Sequence, residues 1–146
     1  MRLSTKGRYA VMAMTDLAAH QGRAGVRGAV CLADIASRQQ ISLAYLEQLF
    51  SRLRRKGVVE SIRGPGGGYR LARAAAETSI ADIVRAVDEP LKAVRCSGEE
   101  KLGCLKGGRR CATHALWDAM GRHIEGFLAG VSLDDVLAGR FDRKAA

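Results

Sequence analysis

The chain predicts a mostly α fold with a small β-wing: a winged helix-turn-helix followed by a long helix. Three observations predict it. Apolar residues recur at helical spacing through 5–20, 32–39 and 43–56, and the second and third segments meet at a Gln39-Gln40 turn. Two short strand-like runs then flank Gly64-Pro65-Gly66-Gly67-Gly68, which gives a hairpin. A second long helical periodicity, 112–129, lies beyond a glycine-studded stretch.

Each element has its own warrant. In 5–20 the apolar positions are Tyr9, Val11, Met14, Leu17 and Ala18, and the helix ends near Gly22. A glycine-containing loop follows, then a short helix with Leu32, Ile35 and Ala36 inward. Ser42 is the expected cap of the third helix, whose apolar stripe is Leu43, Leu46, Leu49, Phe50 and Leu53. Gly57 suits the helix end, and 58–62 and 69–72 read as the two strands. Ser79 and Asp82 open another short helix with Ile80, Ile83, Val84 and Val87 inward. The helix over 112–129 carries Leu116, Trp117, Met120, Ile124, Phe127 and Leu128, and Ser132 starts a last short turn. The chain divides into 1–73, the DNA-binding module; 74–110, a short helix and a cysteine loop; and 111–146, the long helix and C-terminal turn.

Charge narrows the partner. Residues 1–73 hold 13 Lys and Arg against four acids, a net +9, whereas 74–146 hold 11 of each sign and net zero. Excess positive charge confined to the helix-turn-helix half suits double-stranded DNA, through phosphate neutralisation and counterion release. With 47% apolar and 27% charged residues the chain is globular. No apolar run reaches the roughly 18 residues of a membrane span, and the patch at 10–14 reads as helix rather than leader. The expected compartment is the cytoplasm, where clustered cysteines bind metal more often than they pair.

A recognition helix needs small or hydrogen-bonding side chains near its N-terminus. Ser42, Ala44, Tyr45 and Gln48 meet that need, and Gln48 has the amide that pairs with adenine. Arg52, Arg54, Arg55 and Lys56 suit phosphates. Glu47 is the exception: a carboxylate can only accept, for instance from cytosine N4, and it penalises other sites. The competing reading is a surface acid paired with Arg54 or Ser51. At the wing tip Arg63, beside Gly64, Pro65 and Gly66, suits a narrow minor groove. The competing reading there is an ordinary turn. The glycine run lacks the Gly-Lys-Ser/Thr ending of a nucleotide-binding loop.

Cys96, Cys104, Cys111 and His114 form a soft four-donor set with gaps of seven, six and two residues. Three thiolates and an imidazole suit zinc or an iron–sulfur cluster, and spacing alone does not choose between them. Cys111 and His114 fall at the start of the long helix, whose dipole favours thiolate. His20 and His123 read as structural, and Cys31 as a small buried apolar residue.

Four stretches resemble the IscR-type family of iron–sulfur-sensing winged-helix regulators. They are Met1-Arg-Leu-Ser-Thr-Lys-Gly-Arg-Tyr-Ala-Val, Ile41-Ser-Leu-Ala-Tyr-Leu-Glu-Gln-Leu-Phe-Ser-Arg-Leu-Arg, Val59-Glu-Ser-Ile-Arg-Gly-Pro-Gly-Gly-Gly-Tyr and Cys111-Ala-Thr-His-Ala-Leu-Trp. The resemblance implies a homodimer whose dimerisation helix is 112–129. It also implies a 2Fe–2S cluster on Cys96, Cys104, Cys111 and His114, with Glu47 setting specificity at a promoter operator. Regulators of this kind control iron–sulfur assembly genes, as repressor or activator. Related nitric-oxide sensors hold a 4Fe–4S cluster through an early aspartate, where this chain has Arg8. Both inter-cysteine gaps are slightly longer than in well-known members.

Three rivals remain: a winged-helix regulator using structural zinc, a 4Fe–4S cluster or thiol oxidation; an electron-transfer protein or redox enzyme; and a regulatory subunit that docks on a protein. The one-sided charge beside a helix-turn-helix argues against the second, and no nucleophile–base set or cofactor fingerprint supports catalysis.

Overall fold

The computed structural model describes residues 4–23, 28–87 and 103–141. Six α-helices appear there: α1 (Thr5–His20), α2 (Leu32–Gln39), α3 (Leu43–Arg55), α4 (Ile80–Ala86), α5 (His114–Gly130) and α6 (Leu133–Ala138). A two-stranded sheet, β1 (Val59–Ile62) and β2 (Gly68–Leu71), lies between α3 and α4. The architecture is mostly helical with a small antiparallel wing, as the periodicities predict.

α1 is the central post. Ala10, Ala13, Met14 and Leu17 are fully buried, and the alanines let neighbouring helices approach closely. It packs against α2, α4 and α6 and touches α3 and β2. The same core takes in Ile35, Leu46, Leu49, Phe50, Leu53, Ile83, Val84, Val87 and Leu133. Removing most of these side chains from water supplies about 1.5–3 kcal/mol each before entropy is counted.

The helix ends are locally encoded. Ser42 Oγ accepts from the Tyr45 amide at 3.1 Å, capping α3. At the other end the Gly57 amide donates to Arg54 and the Val58 amide to Leu53, each at 3.0 Å. That is a Schellman closure, with Val58 buried beside Leu53. The closure uses up Val58, so β1 starts one residue later than expected, and β2 runs one residue earlier. Val59 pairs with Leu71 and Ile62 with Gly68. α4 and α6 each open with a full capping box, Ser79–Asp82 and Ser132–Asp135.

Three expectations need correction. Cys31 is exposed, not buried: the extended run leading into α2 points Val30 and Leu32 inward and turns the residue between them out. Leu43 is 42% exposed, because the first turn of α3 projects beyond the core together with Ser42 and Ala44. His123 is exposed on α5. His20 does have a structural contact, with Nδ1 2.8 Å from the Asp16 carbonyl oxygen.

α5 starts two residues later than expected. Its Thr113 N-cap makes no side-chain capping bond; the hydroxyl accepts instead from Trp117 Nε1 at 3.2 Å. Only Gly121 is buried along this helix, and Leu116 and Trp117 stand 60% and 42% exposed. An Arg85–Glu125 ion pair ties α5 to α4. Among the described residues no helix is long and apolar enough to cross a membrane.

Candidate nucleic-acid interface and soft-donor cluster

The leading edge of α3 is the first candidate site. Ala44, Glu47 and Gln48 are exposed, as is Ser42 at the cap, while Leu46, Leu49, Phe50 and Leu53 on the other face hold the helix in the core. Tyr45 is half-buried, its ring edge-on to Tyr9 with centroids 5.9 Å apart, so α1 steadies the side chain. Glu47 makes no ion pair or hydrogen bond among the described residues. Arg54, its proposed surface partner, points to Ser61 Oγ in β1 at 3.5 Å.

The basic residues separate into two groups. Arg55 and Lys56 are exposed, and so are Arg63, Gly64, Pro65 and Gly66 at the wing tip. Arg52 is half-buried, and its Nη1 donates to the Val87 carbonyl at the end of α4, 3.4 Å away. The wing is fixed to the body on its second edge: Val30 and Tyr69 bridge, and the Leu71 amide donates to Gln21 Oε1 at 2.9 Å. Phe50 and Tyr69 also meet edge to face at 5.0 Å. Helix and wing are thus held as one surface.

A charged cluster under this surface escaped the sequence reading. The Asp16 side chain is 1% exposed. It accepts from Arg38 Nε at 3.0 and 3.2 Å, Arg38 Nη2 at 2.7 Å and Gln39 Nε2 at 2.8 Å. Burial pushes the carboxyl up, but hydrogen bonds from Arg38 and Gln39, with the charges of Arg38 and His20, outweigh it and hold the group below its ordinary value. The signal available was an acid flanked by Met14 and Leu17 on the inward face of α1.

The second candidate site lies before and on the first turn of α5. A tight turn, with the Leu105 amide on Arg109 O at 3.0 Å and the Gly108 amide on Leu105 O at 3.2 Å, presents Cys104. Gly103 is required there, since a Cβ would lie 2.4 Å from the Arg109 carbonyl oxygen. Cys104 Sγ and His114 Nδ1 are 3.1 Å apart. Cys111 is half-buried, with Sγ 3.7 Å from Thr113 Oγ1. Cys96 lies outside the described residues. Among the described residues no three His, Cys, Asp or Glu side chains converge as a metal-ion set. The structure therefore brings two of the expected donors together. A thiol and an imidazole in contact on an accessible turn have the chemistry of a soft-metal or iron–sulfur ligand pair.

Comparison with known proteins agrees with this layout. The Rrf2 family model, described as an iron-dependent transcriptional regulator, matches residues 3–139. The chain is 55% identical over 137 residues to the HTH-type transcriptional regulator IscR of Photorhabdus laumondii subsp. laumondii, covering 94% of this chain and 79% of that protein. It is 53% identical over 137 residues, with the same coverage, to the HTH-type transcriptional regulator IscR of Serratia proteamaculans. Among solved structures, T. potens IscR superposes with a TM-score of 0.75 at 37% identity, covering 100% of this chain and 93% of that one. CymR (YrzC), the global cysteine regulator of B. subtilis, gives 0.77 at 32%, covering 95% and 98%.

Proposed function

The chain belongs to the Rrf2 family of iron-dependent transcriptional regulators and is a DNA-binding regulator of the IscR type, not an enzyme; from that premise we propose that it senses iron–sulfur status through a 2Fe–2S cluster. Cys96, Cys104, Cys111 and His114 hold the cluster, and the protein controls iron–sulfur assembly genes. The observation that carries the reading is the Cys104–His114 contact of 3.1 Å on an exposed turn. A bound cluster supplies a redox-labile centre that oxidants or iron shortage can remove. His114 in place of a fourth thiolate makes the ligand set less negative and its occupancy sensitive to protonation.

The DNA edge consists of Ser42, Ala44, Tyr45, Glu47 and Gln48 in the major groove. Arg52 and Arg55 lie toward the phosphates, and Arg63, Gly64, Pro65 and Gly66 form the wing contact. Glu47 narrows operator choice by refusing bases that offer it no donor. The working unit is a cytoplasmic homodimer joined along α5. The chain divides functionally into 1–73, which reads DNA; 74–110, which carries the sensing loop; and 111–146, which dimerises.

Anaerobic purification followed by iron and sulfide analysis, visible absorption and Mössbauer spectroscopy tests the cofactor. Two irons and two sulfides per chain with 2Fe–2S spectra are expected, and H114A or C104A should lose them. A colourless protein with tightly bound zinc, or 4Fe–4S spectra, overturns the assignment. Replacing Glu47 with alanine should broaden operator choice in the cluster-free protein; an unchanged preference at fixed salt removes its specificity role.

A further inference from the structure

We propose that Asp16, Arg38 and Gln39 are positioning residues for operator discrimination: the buried carboxylate of α1 grips the last turn of α2 and so sets the angle at which α3 is presented. The inference rests on the DNA edge assigned above, but not on the cofactor.

Arg38 and Gln39 are the final two residues of α2. The next residue, Gln40, has φ 54°, and it is the one described non-glycine residue in the left-handed region. The Ile41 amide then returns to the Ala36 carbonyl at 3.1 Å. Ser42 caps α3 one residue later. The elbow of the helix-turn-helix is thus only a few residues long, and both side chains on its α2 side end on one carboxylate. Arg38 meets that carboxylate through Nε and Nη2 together, a fork that fixes orientation as well as distance. Asp16 cannot readily follow a moving elbow, because α1 is packed against both α4 and α6. Base readout needs side chains held to within about 0.5 Å, and a short fixed elbow supplies that.

Holding α1 to α2 does not by itself call for a charge, since well-packed apolar residues often do it as well or better. What the fork adds is a single allowed geometry. Arg38 also sits in the basic half of the chain with its side chain 35% exposed, so charge alone would count it as a phosphate contact. The geometry instead directs Nε and Nη2 inward to Asp16.

The test uses the full chain and two duplexes: the sequence that wild-type protein enriches from a random library, and a scramble of it. Anisotropy titrations across a salt series are run for wild type, R38Q, R38K and D16N, with thermal melts to confirm folding. The expected result is that R38Q and R38K both lose about tenfold in the enriched-to-scrambled affinity ratio, the scale of one lost base-pair readout. Their salt slopes should match wild type. D16N should behave alike if it folds; the half-exposed Arg38 site keeps the test valid if it does not. A slope reduced by about 0.9 in R38Q and restored in R38K would make Arg38 a phosphate contact and overturn the proposal. A lower melting temperature with an unchanged affinity ratio would make the cluster merely structural, and would also overturn it. Q48A and E47A on the same duplexes separate the underlying reading: discrimination kept in these but lost in R38K retains the clamp and moves the base contacts elsewhere.

Discussion

Val30 and Tyr69 exchange two backbone hydrogen bonds, each 2.8 Å long, so β2 is bonded on both edges although its sheet has two strands. The approach is close enough that a Cβ on the adjacent Gly68 would lie 2.2 Å from the Val30 carbonyl oxygen, and its φ of +155° also favours glycine. Gly68→Ala should destabilise the protein by about 1–3 kcal/mol in urea unfolding. It should also weaken duplex binding, because the wing would lose its seat. Unaltered stability would mean that the wing moves independently of the Val30 segment.

Acid should remove the contribution of Asp16. Its carboxyl is held below its ordinary value in the folded protein. The stabilisation is therefore complete above the unfolded-chain value of about 3.9 and lost as pH falls through the lower folded value. Asp16→Asn should cost about 1–3 kcal/mol at neutral pH. Urea midpoints of variant and wild type should converge as pH is lowered through that window, and a gap constant with pH would contradict the pairing.

The caps of α4 and α6 lie side by side: Ser79 and Ser132 form an isolated bridge, with the Ile80 amide on Val131 O at 2.9 Å and the Leu133 amide on Thr78 O at 3.0 Å. Ser79→Ala and Ser132→Ala should each cost about 1 kcal/mol. As contacting neighbours, the two changes should combine non-additively in a double-mutant cycle. Strict additivity in thermal melts would argue that the two ends unfold separately.

Arg52 and Arg55 should differ at the duplex. Arg55 is exposed, whereas Arg52 donates to Val87. Arg55→Gln should lower the slope of log affinity against log salt by about 0.9. Arg52→Gln should lower it less and cost about 1 kcal/mol of stability through the lost hydrogen bond. Equal slopes for the two variants would place both side chains on phosphate.

If α5 joins two copies as proposed, a charge on it should separate them. Leu116 and Trp117 are the most exposed large apolar residues of that helix, and interface anchors of this kind carry about 2 kcal/mol or more. Leu116→Glu should raise the dimer dissociation constant by at least about tenfold in sedimentation equilibrium. An unchanged association state would place the interface on another face.

Helix content and most boundaries were legible because α2 and α3 carry strong 3.6-residue periodicity and α3 and α4 have obvious cap residues, Ser42 and Ser79, whereas of the residues α1 buries, Ala10 and Ala13 were not among those its spacing picked out. The strands slipped by one residue because the closure of α3 consumes Val58, which periodicity does not reveal. Cys31 misled because residue type favours burial, whereas alternation around Val30 and Leu32 decides it. Leu116 and Trp117 fall on the helix expected to meet a second copy, and apolar spacing marks such a face without showing what covers it. Spacing marked Cys104 and His114 as members of one donor set, but not that these two of the four would touch. The clamp on Asp16 was not legible, since it joins positions 22 and 23 residues apart that only the fold brings together.

The two sides of α3 obey separate constraints. Leu46, Leu49, Phe50 and Leu53 anchor the helix, while Ala44, Glu47 and Gln48 contribute nothing to the core. Substitutions on the outer side can therefore drift at little thermodynamic cost. If that side reads the duplex as proposed, operator preference can change while the scaffold stays as it is.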